Sequence, residues 1–173
     1  PITIGARHIK DINDIPFTEC NDFLLKNHIQ KIPGKRNVSI GAYYNNQLIA
    51  VFIGYLKDNT FLLSRYANDI NYSCPGLFSK LLKFFITRYN FKGVITTYSD
   101  NRHSNGNLYA QTGFINDNIV LPGYSYTNDY FTRLHCSKFR KEKIQKNFDI
   151  DMSNKTEWQA MQELGYDRVW DAG

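Results

Sequence analysis

Apolar residues recur along the chain in two rhythms, and the switches between them mark out the elements. In TECNDFLLKNHIQ (18–30), Phe23, Leu24 and Leu25 stand near Ile29, a spacing that predicts a helix with Thr18 as its cap. KIPGKRN is a loop. The stretch SIGAYYNNQLIAVFIGYLKDNTFLLSRYA (39–67) is rich in β-branched and aromatic residues and predicts three strands in succession. Asn45-Asn46 makes a tight hairpin turn there, since Asn tolerates positive φ, and Lys57-Asp58-Asn59 makes a second. Pro75-Gly76 closes the next loop. Leu77, Leu81, Leu82, Phe84, Phe85 and Ile86 then predict an apolar helix packed on a sheet. GVITTY (93–98) predicts a buried, central strand. Residues 104–112 follow as a short helix, 114–128 as strand, loop and strand, and 132–146 as a basic helix. A last helix starts at Ser153 or Thr156, runs through Trp158, Met161 and Leu164, and ends at Gly165. The order is helix, three antiparallel strands, helix, strand, helix, strand, an α/β sandwich around one mixed sheet.

Composition bounds this picture. The 173 residues, 42% hydrophobic and 21% charged, suffice for a domain with a sizeable core. Three widely spaced cysteines, Cys20, Cys74 and Cys136, argue against a disulfide framework or zinc site and fit a reducing interior. His8, His28, His103 and His135 show no metal-ligand spacing, so no metal is expected. The absence of a long apolar run leads us to expect no membrane span. The chain begins with Pro1, as a piece of a longer protein would. Net charge is +5 and unevenly spread: RLHCSKFRKEKIQK (133–146) holds six Lys or Arg and one Glu. Such a run is a solvated face or a phosphate-contacting surface, and the neighbouring Tyr126, Tyr130, Phe131 and Phe139 leave both readings open. In the second reading Arg133, Lys138, Arg140, Lys141, Lys143 and Lys146, with Arg102 upstream, face the phosphates of double-stranded DNA.

The densest candidate chemistry lies in SDNRHSNGNLYAQTGF (99–114). Asp100 sits just past a strand, where α/β folds gather functional groups; it either orients a base or nucleobase amine or caps the next helix. His103, like His28, is either a proton carrier or an ordinary hydrogen-bonded histidine. No nuclease signature is evident.

The order of elements, with NLYAQTGF after the fourth strand, resembles the GNAT N-acetyltransferase fold. Within it the chain resembles a phage-encoded branch that includes Mom-like DNA-modification proteins and modules attached to phage homing endonucleases. The matching pieces run from FLLKNHIQ (23–30) and NNQLIAVFIGY (45–55), through GLFSKLLKFFI (76–86), to PGYSYT (122–127) and the closing TEWQAMQELGYDRVWDAG (156–173), nearly the whole chain. The resemblance implies a mostly antiparallel mixed sheet flanked by helices, a core over 1–131 and a basic helical extension over 132–173. It also implies a pyrophosphate seat for acetyl-CoA or another acyl-CoA at Gly76, Leu77, Phe78, Ser79 and Lys80. Phe78 stands where the fold keeps a second Gly or Ala, and Pro75 removes an N–H donor; both weigh against that cofactor. Tyr109 falls where the fold keeps its general acid; the alternative is a tyrosine packed at the sheet edge. Two functions follow. The first is a DNA-recognition module of a homing-endonuclease-type protein, with a nuclease or other domain before Pro1, acting in a bacterial cytoplasm. The second is an acyl-CoA-dependent N-acyltransferase, of the Mom-like DNA-base-modifying kind.

Overall fold

A computed structural model of the chain describes residues 1–100 and 103–171. The chain divides into two compact units, Pro1–Tyr98 and Ser99–Gly173.

The first unit is built on a five-stranded sheet. Its strands are β2 (Asp11–Asp14), β3 (Val38–Tyr44), β4 (Gln47–Lys57), β5 (Thr60–Asn68) and β7 (Val94–Thr97), in the spatial order β2-β3-β4-β5-β7. All pairings are antiparallel except β5 with β7, which are parallel and joined through helix α2 (Leu77–Arg88). A two-residue parallel pair, β1 (Ile2–Thr3) with β6 (Tyr72–Ser73), ties down the N-terminus. The predicted hairpin turn forms as expected: Asn45 and Asn46 take φ of 49° and 61°, the left-handed pair a tight turn requires. Asp58, at φ 51°, turns β4 into β5.

Helices cover both faces of this sheet. Helix α1 (Phe17–Asn27) packs Cys20, Phe23 and Leu24 against Val51, Ile53 and Ala67. On the other face α2 buries Leu77, Phe78, Leu81 and Phe85. Phe85 stacks on Phe61 at 4.0 Å between ring centroids, and Phe52 lies 5.7 Å from Phe61. A strand buried on both sides has no polar face, which is why residues 49–54 of β4 read as one unbroken apolar run.

Several expectations are corrected. Helix α1 is capped by Pro16, whose carbonyl accepts the Cys20 N–H at 3.1 Å, not by Thr18, and it ends before Ile29, which is exposed. GVITTY is neither central nor buried: β7 is the last strand of the sheet and Val94 is 62% exposed. Its β-branched composition suits a pleated strand at either position. Strand β2 has no apolar alternation and was not expected; its DIND sequence suits an outer strand in water.

In the second unit β8 (Tyr124–Thr127) lies between β9 (Leu134–His135) and β10 (Asp167–Trp170), all antiparallel. Tyr126, Phe139, Ile144, Met152, Ala160 and Met161 form its core. The 104–112 helix shrinks to one turn, α3 (Asn107–Ala110), between left-handed Gly106 and Gly113. The basic helix expected over 132–146 is instead strand β9, a 3-10 turn over Cys136–Phe139 and α4 (Lys141–Phe148), because Arg140 is extended at ψ 148°. The last helix, α5 (Glu157–Glu163), begins in a capping box between Thr156 and Gln159, and left-handed Gly165 follows it as expected. Asp167 opens β10. Among the described residues, no helix is long and apolar enough to cross a membrane.

Candidate functional site

Strand β5 changes character halfway along. Arg65 faces Ile53 on β4, but Leu63 faces Gly54, so Ser64 is an extra residue, a β-bulge. A bulge bends its strand and re-aims the groups around it. The ladder to β7 stops at the same point: its last pair is Leu63 with Thr97, and the Thr97 hydroxyl donates to the Leu63 carbonyl at 3.1 Å. From Ser64 to Asn68, β5 therefore runs on beyond its parallel neighbour.

The start of α2 lies against this second half of β5. Phe78 packs its ring edge-on to Tyr66 at 5.0 Å, and also against Phe52 at 6.2 Å. Gly76, at φ 81°, caps the helix in the left-handed region that glycine enters without penalty. A helix start carries partial positive charge and N–H groups aimed outward, a seat for phosphate. Of the five residues expected there, Gly76 forms the turn and Ser79 is exposed, while Leu77 and Phe78 are buried. Because the Phe78 ring is in the core, it does not stand over the turn. Lys80 is committed elsewhere: its ammonium donates to the carbonyls of Ala6, at 2.9 Å, and Ile9.

Around the bulge, Arg65 donates from Nη1 to the Ser64 carbonyl at 2.6 Å and from Nε to the Lys31 carbonyl at 3.3 Å. Half-buried His28 accepts the Gln30 N–H on Nδ1 at 3.1 Å. Burial, then the charges of Arg65 and Lys31, lower the His28 pKa to about 4. The folded state thus favours the neutral ring, while the unfolded chain takes up a proton near the ordinary value of about 6.5. Stability is expected to hold above about pH 6.5 and to fall as pH drops toward about 4. Urea midpoints across that range should show a shallower fall in His28→Gln than in the parent. On the opposite side of β5, the Tyr66 hydroxyl donates to Asn68 Oδ1 at 2.8 Å, and burial raises its pKa.

The other expected site residues lie in the second unit or outside the described residues. The Asp100 carbonyl accepts the His103 and Ser104 N–H groups at 2.9 and 3.0 Å, closing a turn that leaves the His103 side chain exposed. Tyr109, on α3, is half-buried with its ring edge-on to Phe114 at 5.6 Å. Arg102 lies outside the described residues. Arg133, Lys138, Arg140, Lys141, Lys143 and Lys146 are all exposed. Lys143 also donates to the Ser137 carbonyl at 2.8 Å. Sequence reading missed the Ser64 bulge, for which Gly54 opposite is the sole signal, glycine inside a strand marking a bulge or close approach.

No protein-family model matches the chain, and no curated protein does. Solved structures do. A ribosomal-protein-S18-alanine N-acetyltransferase from Escherichia coli aligns with a TM-score of 0.53 and 19% identity, over 71% of this chain and 86% of that one. A GNAT-family acetyltransferase from Streptococcus pneumoniae TIGR4 aligns with 0.51 and 10%, over 64% and 92%. A transcriptional regulator from Bacillus halodurans C-125 aligns with 0.51 and 16%, over 66% and 97%. The fold is that of the GNAT acetyltransferases: a mixed, mostly antiparallel sheet flanked by helices. At these identities the likeness is one of fold.

Proposed function

We propose that the chain is an acyl-CoA-dependent N-acyltransferase. The observation that carries this reading is strand β5, bulged at Ser64 and extending past β7 beside the Gly76 start of α2. An acyl-CoA offers an extended arm with two amides and a pyrophosphate. The arm suits a strand edge, by the backbone pairing that strand-adding peptides use. The pyrophosphate suits the helix start. CoA supplies the activated thioester. The chain's part is to hold the acyl carbonyl for attack by an amine and to return a proton to the departing thiolate. Isothermal titration of the purified chain with acetyl-CoA tests the reading. Saturable micromolar binding is expected. No heat, and no rise in Tm with millimolar acetyl-CoA, would remove it.

A second reading is favoured by the exposed basic side chains over 133–146: a module that recognises duplex DNA, as in a phage homing-endonuclease-type protein in the bacterial cytoplasm. Phosphate neutralisation by such a set makes affinity fall steeply with salt. The two readings are compatible where the acceptor amine belongs to DNA, as in the Mom-like proteins that the sequence resembles.

A further inference from the structure

The second unit holds an aromatic cleft that none of this chemistry uses. On one face of its sheet, Tyr124 and Tyr126 of β8 stand opposite Trp170 and Arg168 of β10. The Arg168 guanidinium lies between rings, 4.3 Å from the Tyr124 centroid and 4.7 Å from that of Trp158. Its Nε and Nη2 donate to the Tyr126 hydroxyl at 3.3 and 3.1 Å. Both phenols in turn donate to Glu157 Oε1, each at 2.9 Å. The arginine is therefore held in place by the hydrogen bonds behind the wall. Trp170 extends the wall, 5.0 Å from Tyr124 and 54% exposed. Across an open space of about 480 Å³ stands Tyr130, whose hydroxyl donates to Asp167. The lining is Tyr130, Trp158, Asp167, Arg168 and Trp170.

The chemistry of this lining narrows what it takes. A cation is repelled by Arg168 and an anion by Asp167. A flexible apolar group gains nothing from a guanidinium plane and a carboxylate side by side. What remains is a flat, neutral group with donors and acceptors along one edge and π faces above and below. We propose that the cleft takes an unpaired nucleobase, stacked on the exposed Trp170 ring with its polar edge toward Asp167 and Arg168. Stacking on aromatic and arginine planes is how single-stranded nucleic acid is held. The inference deepens the nucleic-acid reading above, whose basic residues 133–146 belong to the same unit.

Trp158 and Trp170 are the two tryptophans of the chain, so its tryptophan fluorescence, excited selectively beyond the tyrosine band, reports on this cleft. The full chain is titrated with a single strand of about 12 nucleotides, within the usual span of such sites. The same strand in a duplex and an abasic strand of equal length are the comparisons. Saturable quenching is expected with the single strand, about tenfold tighter than with the abasic strand, the usual contribution of a stacked base. Trp170→Ala, at an exposed position, should erase that ratio, with Trp158 left as reporter. Replacing Lys141 and Lys143 by Glu should weaken the based and abasic strands alike and leave the ratio intact. Equal affinity for based and abasic strands would overturn the cleft while sparing the nucleic-acid reading. Loss of all nucleic-acid binding in the parent would remove both, and quenching by a disaccharide but not by nucleotides would reassign the cleft.

Discussion

Replacing Phe85 by alanine is expected to cost the first unit about 3–5 kcal/mol, the usual range for a fully buried phenylalanine. Phe85 has no exposed surface and sits at the centre of the rings on that face of the sheet. Its centroid is 4.0 Å from Phe61, 5.2 Å from Tyr89, 5.3 Å from Phe91 and 6.0 Å from Phe52. These neighbours come from β4, β5 and the segment after α2, and stiff rings anchored on separate elements cannot close the hole. The cavity term therefore adds to the lost burial. Urea unfolding should be followed by far-UV circular dichroism, since both tryptophans belong to the other unit. A loss under about 1 kcal/mol would show that the ring cluster repacks, against the cavity argument.

Gly54→Ala should be nearly as severe and should reach the site as well. A Cβ there would lie 2.4 Å from the Leu62 carbonyl oxygen and 2.4 Å from Phe61 Cζ. The first is backbone and the second is a ring held in the core, so neither yields cheaply. Overpacking of a core costs about 1–3 kcal/mol, and a clash with backbone lies at the upper end. Gly54 is also the residue opposite which β5 bulges. The strand must move where Ser64 is extruded, so acetyl-CoA affinity should fall together with the urea midpoint. Gly34→Ala, where an added Cβ meets nothing within 4 Å, is the neutral control. If Gly54→Ala lowered stability but left affinity untouched, the bulge would be irrelevant to the ligand.

The parts of the fold that could be read in advance are those where local chemistry and tertiary packing agree. Asn45-Asn46 suits a left-handed turn wherever it occurs. Leu77, Phe78, Leu81 and Phe85 share one face of a helix. Thr156 and Gln159 cap their own helix. The misread parts depend on neighbours distant in sequence. Whether GVITTY is central or outermost is decided by which strands flank it. DIND becomes a strand only because β3 offers it a ladder. DRVW pairs with YSYT across the 39 residues of chain between them, Trp170 against Tyr124. At the site, Phe78 looks like an obstruction when taken with Gly76, its neighbour in sequence. Taken with Leu81 and Phe85, it belongs to the core. The bulge leaves no trace in SRY itself, because an extruded serine has the same composition as a paired one.

The two hairpins of the first unit also set an order of assembly. β3–β4 and β4–β5 are each joined by two residues, so pairing closes the smallest possible loops. The β5–β7 pair must wait for α2 to cross the sheet, and Ile2 meets Tyr72 only when the whole intervening chain is in place. Loop-closure entropy thus favours the β3–β4–β5 meander as the nucleus, with Phe52 and Phe61 already side by side to receive Phe85. The long-range arm docks onto a surface made ready for it. The bulged strand is then among the earliest parts to form, and its half beyond Ser64 takes shape before β7 arrives to define where pairing ends.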